Sequence, residues 1–146
     1  MTPCVSVDQP GWLAMRKQLW PHCSSSEHLA EMSEFLASSA RFAQFIEYDK
    51  SNNAVGFVEV SLRTDYVNGT DSSPVAFLEG IYVVPHARRQ GVARALVAAA
   101  ERWATSSGCC ELASDAEIEN TASHSMHSGL GFTESERVVF FKKTLR

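Results

Sequence analysis

The sequence lacks the features that mark several large classes of protein. No apolar run approaches the roughly 18 residues that suggest a membrane-spanning helix. The N-terminal residues show neither the basic nor the apolar region of a secretion signal. Four cysteines occur without C-x-x-C spacing, so neither a zinc site nor a disulfide framework is indicated. We therefore expect a soluble, cytoplasmic protein without a metal or a membrane partner.

An excess of positive charge is also missing. Thirteen Lys and Arg residues stand against seventeen Asp and Glu residues, which gives a formal net charge of −4. This balance argues against nucleic acid as a partner, because such proteins usually carry a positive field. The chain has neither a Walker A pattern nor a G-x-G-x-x-G pattern, which disfavours ATP and NAD as ligands.

The composition and the hydrophobic periodicity predict one folded α+β domain over residues 1–146. Hydrophobic residues make up 45% of the chain, and no repeat or flexible linker divides it. Helical spacing occurs in residues 9–20, after Ser24, in residues 91–105 and in residues 120–127. Strand patterns occupy residues 42–48, 54–62, 75–84, 111–113 and 137–144, and a turn-rich segment, residues 49–53, predicts a hairpin.

The charges are segregated along the chain. Residues 103–136 contain six acidic residues and no Lys or Arg. The basic residues Arg88, Arg89 and Arg94 instead surround Gly91, at the predicted start of a strong helix. Backbone N–H groups at a helix N-terminus, together with arginines, form an anion site suited to a phosphate. Two opposed fields predict two ligands, one polyanionic and one polycationic.

Three patterns resemble the GCN5-related N-acetyltransferase (GNAT) superfamily. They are Arg88-x-x-Gly91-x-Ala93 after a buried strand, Asn120-x-x-Ser123, and Leu130-Gly131-Phe132. The resemblance implies a GNAT fold, with a mixed central sheet, a splayed strand pair and flanking helices. It also implies acetyl-CoA as the co-substrate. The residues expected to bind it are Ile81, Tyr82, Val83, Arg88, Arg89, Gln90, Gly91, Val92, Ala93, Arg94 and Asn120.

Within that superfamily the chain is similar to the aminoglycoside 6'-N-acetyltransferases. The similarity rests on residues 65–69, 72–75, 77–80 and 113–115, among others. It implies acetylation of the 6'-amino group of an aminoglycoside, which would confer antibiotic resistance. The residues expected to line the drug pocket are Trp20, Tyr66, Glu79, Asp115 and Glu136. Asp65 and Asp71 are weaker candidates.

Glu79 is the strongest catalytic candidate because it is a charged residue in the middle of the most apolar predicted strand. A buried carboxylate requires a cation or hydrogen-bond donors, so its partner is either Arg63, another base or the substrate. We expect Glu79 to act as the general base, with Asp115 as the alternative. His127 occupies the position where the commonest pattern of the superfamily has a tyrosine that is often proposed as the general acid. It either protonates the leaving thiolate or only packs in its helix.

Two other functions remain open from the sequence. The chain could acetylate another cationic amine, such as a polyamine, a protein lysine or a protein N-terminus. It could also be a non-catalytic acetyl-CoA-binding module. The apolar segment 138–141 would aggregate as an uncovered edge, so we expect a homodimer, unless this segment lies inside its own sheet.

Overall fold

A computed structural model describes residues 1–146 and resolves into two compact units, Met1–Ser114 and Asp115–Arg146. The strands are β1 (Thr2–Pro3), β2 (Phe42–Tyr48), β3 (Ala54–Arg63), β4 (Val75–Val83) and β5 (Leu112–Ala113). The helices are α1 (Trp12–Leu19), α2 (Ser25–Ala37), α3 (Val92–Ser106) and α4 (Thr121–Gly129), with a short 3-10 turn at Pro85–Ala87.

All five strands form one mixed sheet in the order β1-β2-β3-β4-β5. The first four are antiparallel neighbours, and β5 is parallel to β4. The β2–β3 connection is the predicted hairpin, in which the Asp49 carboxylate accepts hydrogen bonds from the N–H groups of Ser51 and Asn53. The predicted mixed sheet is confirmed, and β1 is a strand that the sequence patterns did not indicate.

Helices cover both faces of the sheet because the first half of β3, residues 54–58, is apolar on both sides. On one face, Phe57 packs with Trp12 of α1 and Met32 of α2 in a fully buried cluster. On the other face, a Cβ at Gly56 would lie 2.9 Å from Val92 Cγ1 of α3, so glycine allows that helix to approach closely. This arrangement leaves the loop ends of the strands and the β4 edge as the places for a site.

The helix boundaries follow local rules. Ser24 and Glu27 form a reciprocal capping box at the start of α2, where the Ser24 hydroxyl accepts from the Glu27 N–H at 3.2 Å. Helix α3 buries Leu96, Val97 and Ala100 on one side, as its periodicity predicts. The predicted helices and the strands β2 to β5 are therefore confirmed, with small differences at their ends.

The strand predicted at residues 137–144 is wrong for this structure. After Gly131 the chain forms neither helix nor strand, and Val139, Phe140 and Phe141 are exposed. A strand requires a neighbour to accept and donate its backbone hydrogen bonds, and this segment has none. The sequence pattern of this segment is typical of a strand, but the structure provides no neighbouring strand to pair with it. No helix in the structure is both long and apolar enough to cross a membrane.

Candidate active site

Strand β4 has one open edge over most of its length. It pairs with β5 only at Ala76 and Phe77, because β5 ends at Ala113, and from Leu78 onward this edge of β4 has no neighbouring strand. The splay expected from the resemblance stays a prediction, since β5 has no residues beyond this pairing. The Val84 N–H bonds to the Val55 carbonyl at 3.0 Å, so by alternation the N–H groups of Val83 and Ile81 face away from β3. These N–H groups can receive a ligand along the open edge.

A β-bulge lies in the same strand. Glu59 of β3 is opposite Gly80, and the next β3 residue, Val60, is opposite Leu78, which leaves Glu79 as the extra residue. A bulge re-aims the side chain at its position, and bulges are common beside active sites. The carboxylate predicted as the catalytic base is thus placed by an irregularity of the sheet, next to the open edge.

Glu79 has charged and polar partners from β3. Its Oε1 accepts from the Ser61 hydroxyl, from Arg63 Nε at 3.2 Å and from Arg63 Nη2 at 2.9 Å. Its Oε2 accepts from Arg63 Nη2 at 3.1 Å. The side chains remain accessible, with exposures of 29% for Glu79 and 39% for Arg63. The pair with Arg63 that the sequence left open is therefore formed, while the carboxylate can still reach solvent or a ligand.

The predicted anion site lies between β4 and α3. Residues 88–91 are exposed, and Gly91 caps α3 with a φ of 84° and no side-chain cap. Arg89 also has a positive φ of 63°, so two left-handed residues turn the chain into the helix. A Cβ at Gly91 would meet nothing within 4 Å, so the space above the helix start is open. These observations fit a phosphate-bearing ligand at this terminus.

Arg88 connects the anion site to the open edge of β4. Its Nε donates to the Val83 carbonyl at 2.8 Å, and its guanidinium lies 5.7 Å from the centre of the Tyr82 ring. Gln90 Nε2 donates to the His86 carbonyl at 2.9 Å, which braces the turn. The edge of β4 and the start of α3 thus form one continuous polar surface.

Trp20 lies against the bulge. It is half-buried at the end of α1, and a Cβ at Gly80 would come within 2.4 Å of its ring. The ring also contacts Phe57, with centroids 6.1 Å apart. Glycine at position 80 is therefore what allows the Trp20 ring to lie against the bulge. Trp20 thus packs on the residue that follows Glu79 in β4.

A buried polar network supports Trp20. Arg16 bonds to Glu59 and Glu31, and its guanidinium lies 4.8 Å from the Trp20 ring centre. Trp12 Nε1 also donates to Glu59 at 2.9 Å. Burial raises the pKa of the Glu59 carboxyl, and the Arg16 charge opposes that shift.

His28 completes the network in its neutral form. Arg16 Nε is a fixed donor 3.3 Å from His28 Nδ1, so Nδ1 accepts, and Nε2 donates to the Trp20 carbonyl at 3.2 Å. The end of α1 is therefore fixed to α2. Sequence reasoning missed this network, because Arg16 and His28 are typical of solvent-facing helix positions.

Tyr66 belongs to a different part of the first unit. It is 76% exposed in the loop between β3 and β4, while its neighbour Val67 is buried against Val75 and Phe77. Glu111 accepts from the Asp71 N–H at 2.9 Å and from the Ser72 hydroxyl, and these bonds lower the pKa of its carboxyl. The loop is anchored at Val67 and Ser72, and it leaves the Tyr66 ring exposed.

The remaining predicted residues lie in the second unit. Asp115 and Glu136 are exposed. Asn120 caps α4, since its Oδ1 accepts from the Ser123 N–H at 3.1 Å, which leaves its amide NH₂ as a donor. His127 Nδ1 lies 2.7 Å from the Ser123 carbonyl oxygen and donates a hydrogen bond to it. The ring also packs edge-on against Phe132.

Sequence reasoning did not identify Ser61 as a partner of Glu79, although the pattern of β3 could have indicated it. Polar residues occur at every second position of β3, at Glu59, Ser61 and Arg63, between apolar ones. This alternation predicts a polar stripe on one face of the sheet. No group of three or more His, Cys, Asp or Glu side chains is arranged to hold a metal ion.

Comparison with known proteins identifies the family of this chain. The model of the acetyltransferase (GNAT) family matches residues 11–132. An aminoglycoside N(6')-acetyltransferase type 1 from Serratia marcescens is 54% identical over 142 residues, which covers 97% of each chain.

Solved structures resemble the fold closely. The crystal structure of an aminoglycoside antibiotic 6'-N-acetyltransferase from Acinetobacter haemolyticus, without ligand, has a TM-score of 0.92 at 45% identity and covers 99% of this chain and 98% of that one. AAC(6')-Iy in complex with the bisubstrate analogue CoA-S-monomethyl-acetylneamine has a TM-score of 0.87 at 50% identity, covering 92% and 90%.

Proposed function

Because this chain belongs to the acetyltransferase (GNAT) family, we propose that it transfers the acetyl group of acetyl-CoA to the 6'-amino group of aminoglycoside antibiotics. It is an acyltransferase of the aminoglycoside N(6')-acetyltransferase type, and this reaction confers resistance to the drug. The relatives at 46 to 54% identity carry that name over nearly the whole chain. A structural relative holds an analogue that joins CoA to an acetylated aminoglycoside.

The observation that carries the proposal is the position of Glu79. Its carboxylate lies at a bulge, beside the strand edge whose N–H groups are available to a ligand. An edge of backbone donors that continues into a helix N-terminus suits a long anionic co-substrate, and a carboxylate next to it suits a cationic one.

Acetyl-CoA supplies the acetyl group as a thioester. The N–H groups of Ile81 and Val83 and the backbone of Tyr82 would hold its pantetheine arm, together with the Asn120 amide. The start of α3 fits the pyrophosphate, because it is uncapped, open and surrounded by arginines. The residues proposed there are Arg88, Arg89, Gln90, Gly91, Val92, Ala93 and Arg94.

The aminoglycoside would bind through acids and aromatic rings. Trp20 beside Glu79 and the exposed Tyr66 offer apolar surfaces for sugar rings. Glu79, Asp115 and Glu136 supply the carboxylates that ammonium groups require. We include the two acids of the second unit on the sequence argument alone.

The reaction forms one bond and breaks one. The 6'-nitrogen bonds to the thioester carbonyl carbon, the carbon–sulfur bond breaks, and the sulfur takes the bonding pair. Glu79 accepts the proton that the amine gives up, directly or through water, and Asp115 is the alternative base. The thiolate takes a proton to leave as CoA thiol, and His127 is the proposed donor.

Thiol release dependent on acetyl-CoA tests the function. We expect release with kanamycin and none above background with spermine or a histone-like peptide. Release with spermine or the peptide alone would identify an acetyltransferase of another amine. Acetyl-CoA binding without release with any amine would identify a non-catalytic module.

Two substitutions test the separation of the ligands. Arg89→Ala should weaken acetyl-CoA binding in calorimetry while aminoglycoside binding is retained, because only the pyrophosphate partner is lost. Glu79→Ala should reduce kcat with kanamycin by about 10² to 10⁴ fold. Equal loss of both ligands in each variant would contradict two separate binding regions.

We also propose that the chain forms a homodimer through its C-terminal tail. Val139, Phe140 and Phe141 are 77%, 86% and 93% exposed, and β5 is a short strand that pairs only with β4. Such an apolar segment gains most by adding a strand to a second copy. Light scattering should give twice the chain mass, and Val139→Asp/Phe141→Asp should halve it.

A single domain and a cytoplasmic location remain part of the proposal. The family model spans both compact units, which supports one domain over residues 1–146. All four cysteines are free thiols, as is usual in a reducing compartment. Limited proteolysis and cell fractionation test these two statements.

A further inference from the structure

The carboxylate of Glu79 is held unevenly. Oε1 accepts from three donors, Ser61 Oγ and two nitrogens of Arg63, whereas Oε2 accepts only from Arg63 Nη2. A carboxylate oxygen accommodates about two strong donors, so Oε1 is saturated and Oε2 retains capacity. One oxygen therefore anchors the side chain, and the other is the atom that can meet a substrate.

Arg63 is fixed independently of that carboxylate. Its guanidinium carbon lies 3.5 Å from the centre of the Phe77 ring, which is buried in the sheet. Stacking on an aromatic face favours a cation and fixes the plane of the guanidinium. The positive charge is therefore in place before any substrate arrives.

This charge addresses a difficulty of the reaction. Only a neutral amine has the lone pair that attacks a thioester, but an acidic pocket stabilises the ammonium form. A cation bonded to the same carboxylate repels an ammonium that approaches Oε2 and offsets part of the carboxylate's attraction. Arg63 therefore favours loss of the ammonium proton to water, which leaves Oε2 ionised to take the second proton when the neutral amine attacks.

Other charges on this face of the sheet are occupied elsewhere. Glu59 is paired with Arg16 of α1, and Glu31 of α2 binds the same guanidinium. Arg41, just before β2, stacks over Phe42 at 5.1 Å. A substitution at Arg63 therefore changes the charge next to Glu79 while this buried network stays in place.

We propose that Arg63 is a positioning residue of the acetyl transfer, which anchors Glu79 through Oε1 and keeps the bound amine in its neutral, reactive form. Ser61 shares the anchoring but not the charge effect. The inference rests on the proposed function, in which Glu79 receives the proton of the attacking amine.

The test compares Arg63→Met with Arg63→Lys over pH 5.5 to 9.5. The pH dependence of kcat reports groups that ionise in the bound complex. In Arg63→Met we expect the acid limb of the kcat–pH profile to move to higher pH by about one unit, since a nearby charge shifts the pKa of an ionising group by about that amount. The KM for the aminoglycoside should fall, because its ammonium binds an unopposed carboxylate. Arg63→Lys should keep the wild-type limb.

Three further variants sharpen the result. Arg41→Met removes an arginine that also stacks on a phenylalanine and should leave kcat, KM and the limb unchanged. Ser61→Ala should lower kcat several-fold without moving the limb, because it removes a donor but no charge. Arg63→Gln repeats the loss of charge with a polar side chain, in case the methionine variant does not fold.

An unmoved acid limb in both neutral variants would overturn the proposal, and so would a raised KM with lower kcat at every pH, which indicates structural damage. The comparison uses whichever amine the wild-type protein acetylates. If the wild-type protein releases no CoA thiol with kanamycin, the aminoglycoside assignment is contradicted. The role of Arg63 is then tested by measuring the variants with the amine that the wild-type protein does acetylate. Wild-type protein that acetylates no amine overturns both.

Discussion

Two arginine–glutamate pairs lie on the same face of the sheet and differ in their surroundings. Arg16 and Glu59 are almost fully buried, at 1% and 3% exposure, whereas Arg63 and Glu79 are about one-third exposed. Glu59 and Arg63 lie four residues apart on β3, so strand alternation places both on this face. The buried pair fixes α1 to the sheet, and the exposed pair leaves the Glu79 carboxylate partly open to solvent.

The contrast follows from the cost of desolvation. A buried ion pair has lost its water, so removing one partner leaves an uncompensated charge in the interior. An exposed pair is screened by solvent and contributes little to stability. We therefore expect substitutions in the first pair to affect folding and substitutions in the second to affect the reaction.

The largest effect is expected from Glu59→Ala. It removes the acceptor of the Trp12 N–H and the buried partner of Arg16, which keeps only the more exposed Glu31, and it should lower the free energy of unfolding by about 3 kcal/mol. Urea denaturation measures the loss. The double variant Arg16→Met/Glu59→Leu, which removes both charges, should recover part of the stability. A single variant as stable as the wild type would remove the distinction between the two pairs.

Gly80→Ala should have an intermediate effect on stability and on substrate binding, because Gly80 lies opposite Glu59 of the buried pair and follows Glu79 of the exposed pair. The added methyl group would lie 2.4 Å from the Trp20 ring and must displace it. We expect a stability loss of about 1 to 3 kcal/mol from overpacking. The KM for the aminoglycoside should rise, with the KM for acetyl-CoA unchanged.

Gly129→Ala is the matched control, since a Cβ there meets nothing within 4 Å. It should be neutral in both measurements. Tolerance of alanine at position 80 would show that Trp20 does not depend on contact with the bulge.

Arg63→Met should lower the stability by less than about 1 kcal/mol, although it changes the reaction. Thermal unfolding at low and high salt measures this value. The loss should shrink further at high salt, because exposed charges are screened. A loss of stability as large as that of Glu59→Ala would show that Arg63 stabilises the fold as the buried pair does.

The smallest effect concerns Cys4, which packs in the same core cluster as Trp12. Burial, with a smaller contribution from the Glu59 charge, raises the pKa of its thiol to about 12. Alkylation at pH 8.5 should modify the exposed Cys23 and Cys110 and spare Cys4, as mass spectrometry would show. Because the raised pKa belongs to the folded state, stability should fall as the pH rises above about 9. Rapid alkylation of Cys4 in the native protein would contradict its burial.

Local patterns were sufficient to predict most elements. The Ser24–Glu27 capping box, the apolar stripe of α3 and the Asp49 hairpin all depend on residues close in sequence. The open loop at Gly91 was predicted for the same reason, since a glycine before a helix is a local signal. The resemblance added the mixed sheet of the GNAT fold, which the structure confirms.

Long-range relationships were not available in this way. The β pattern at residues 137–144 was recognised, but a pattern does not supply the neighbouring strand, and the segment is unpaired in this structure. The bulge at Glu79 depends on how β3 and β4 align, so the strand predicted at residues 75–84 did not reveal it. Arg16 was indistinguishable from a surface residue.

The sequence by itself determined the fold class, the order of the elements from α1 to α4 and the open, arginine-flanked start of α3, because apolar periodicity, capping and glycine conformation act over a few residues. Only the tertiary structure decided which arginine is buried and which is accessible. Arg16 meets Glu59 across 43 residues, and Arg63 meets Glu79 across 16. Two pairs with the same chemistry serve different purposes because the packing of α1 removes water from one and leaves it at the other.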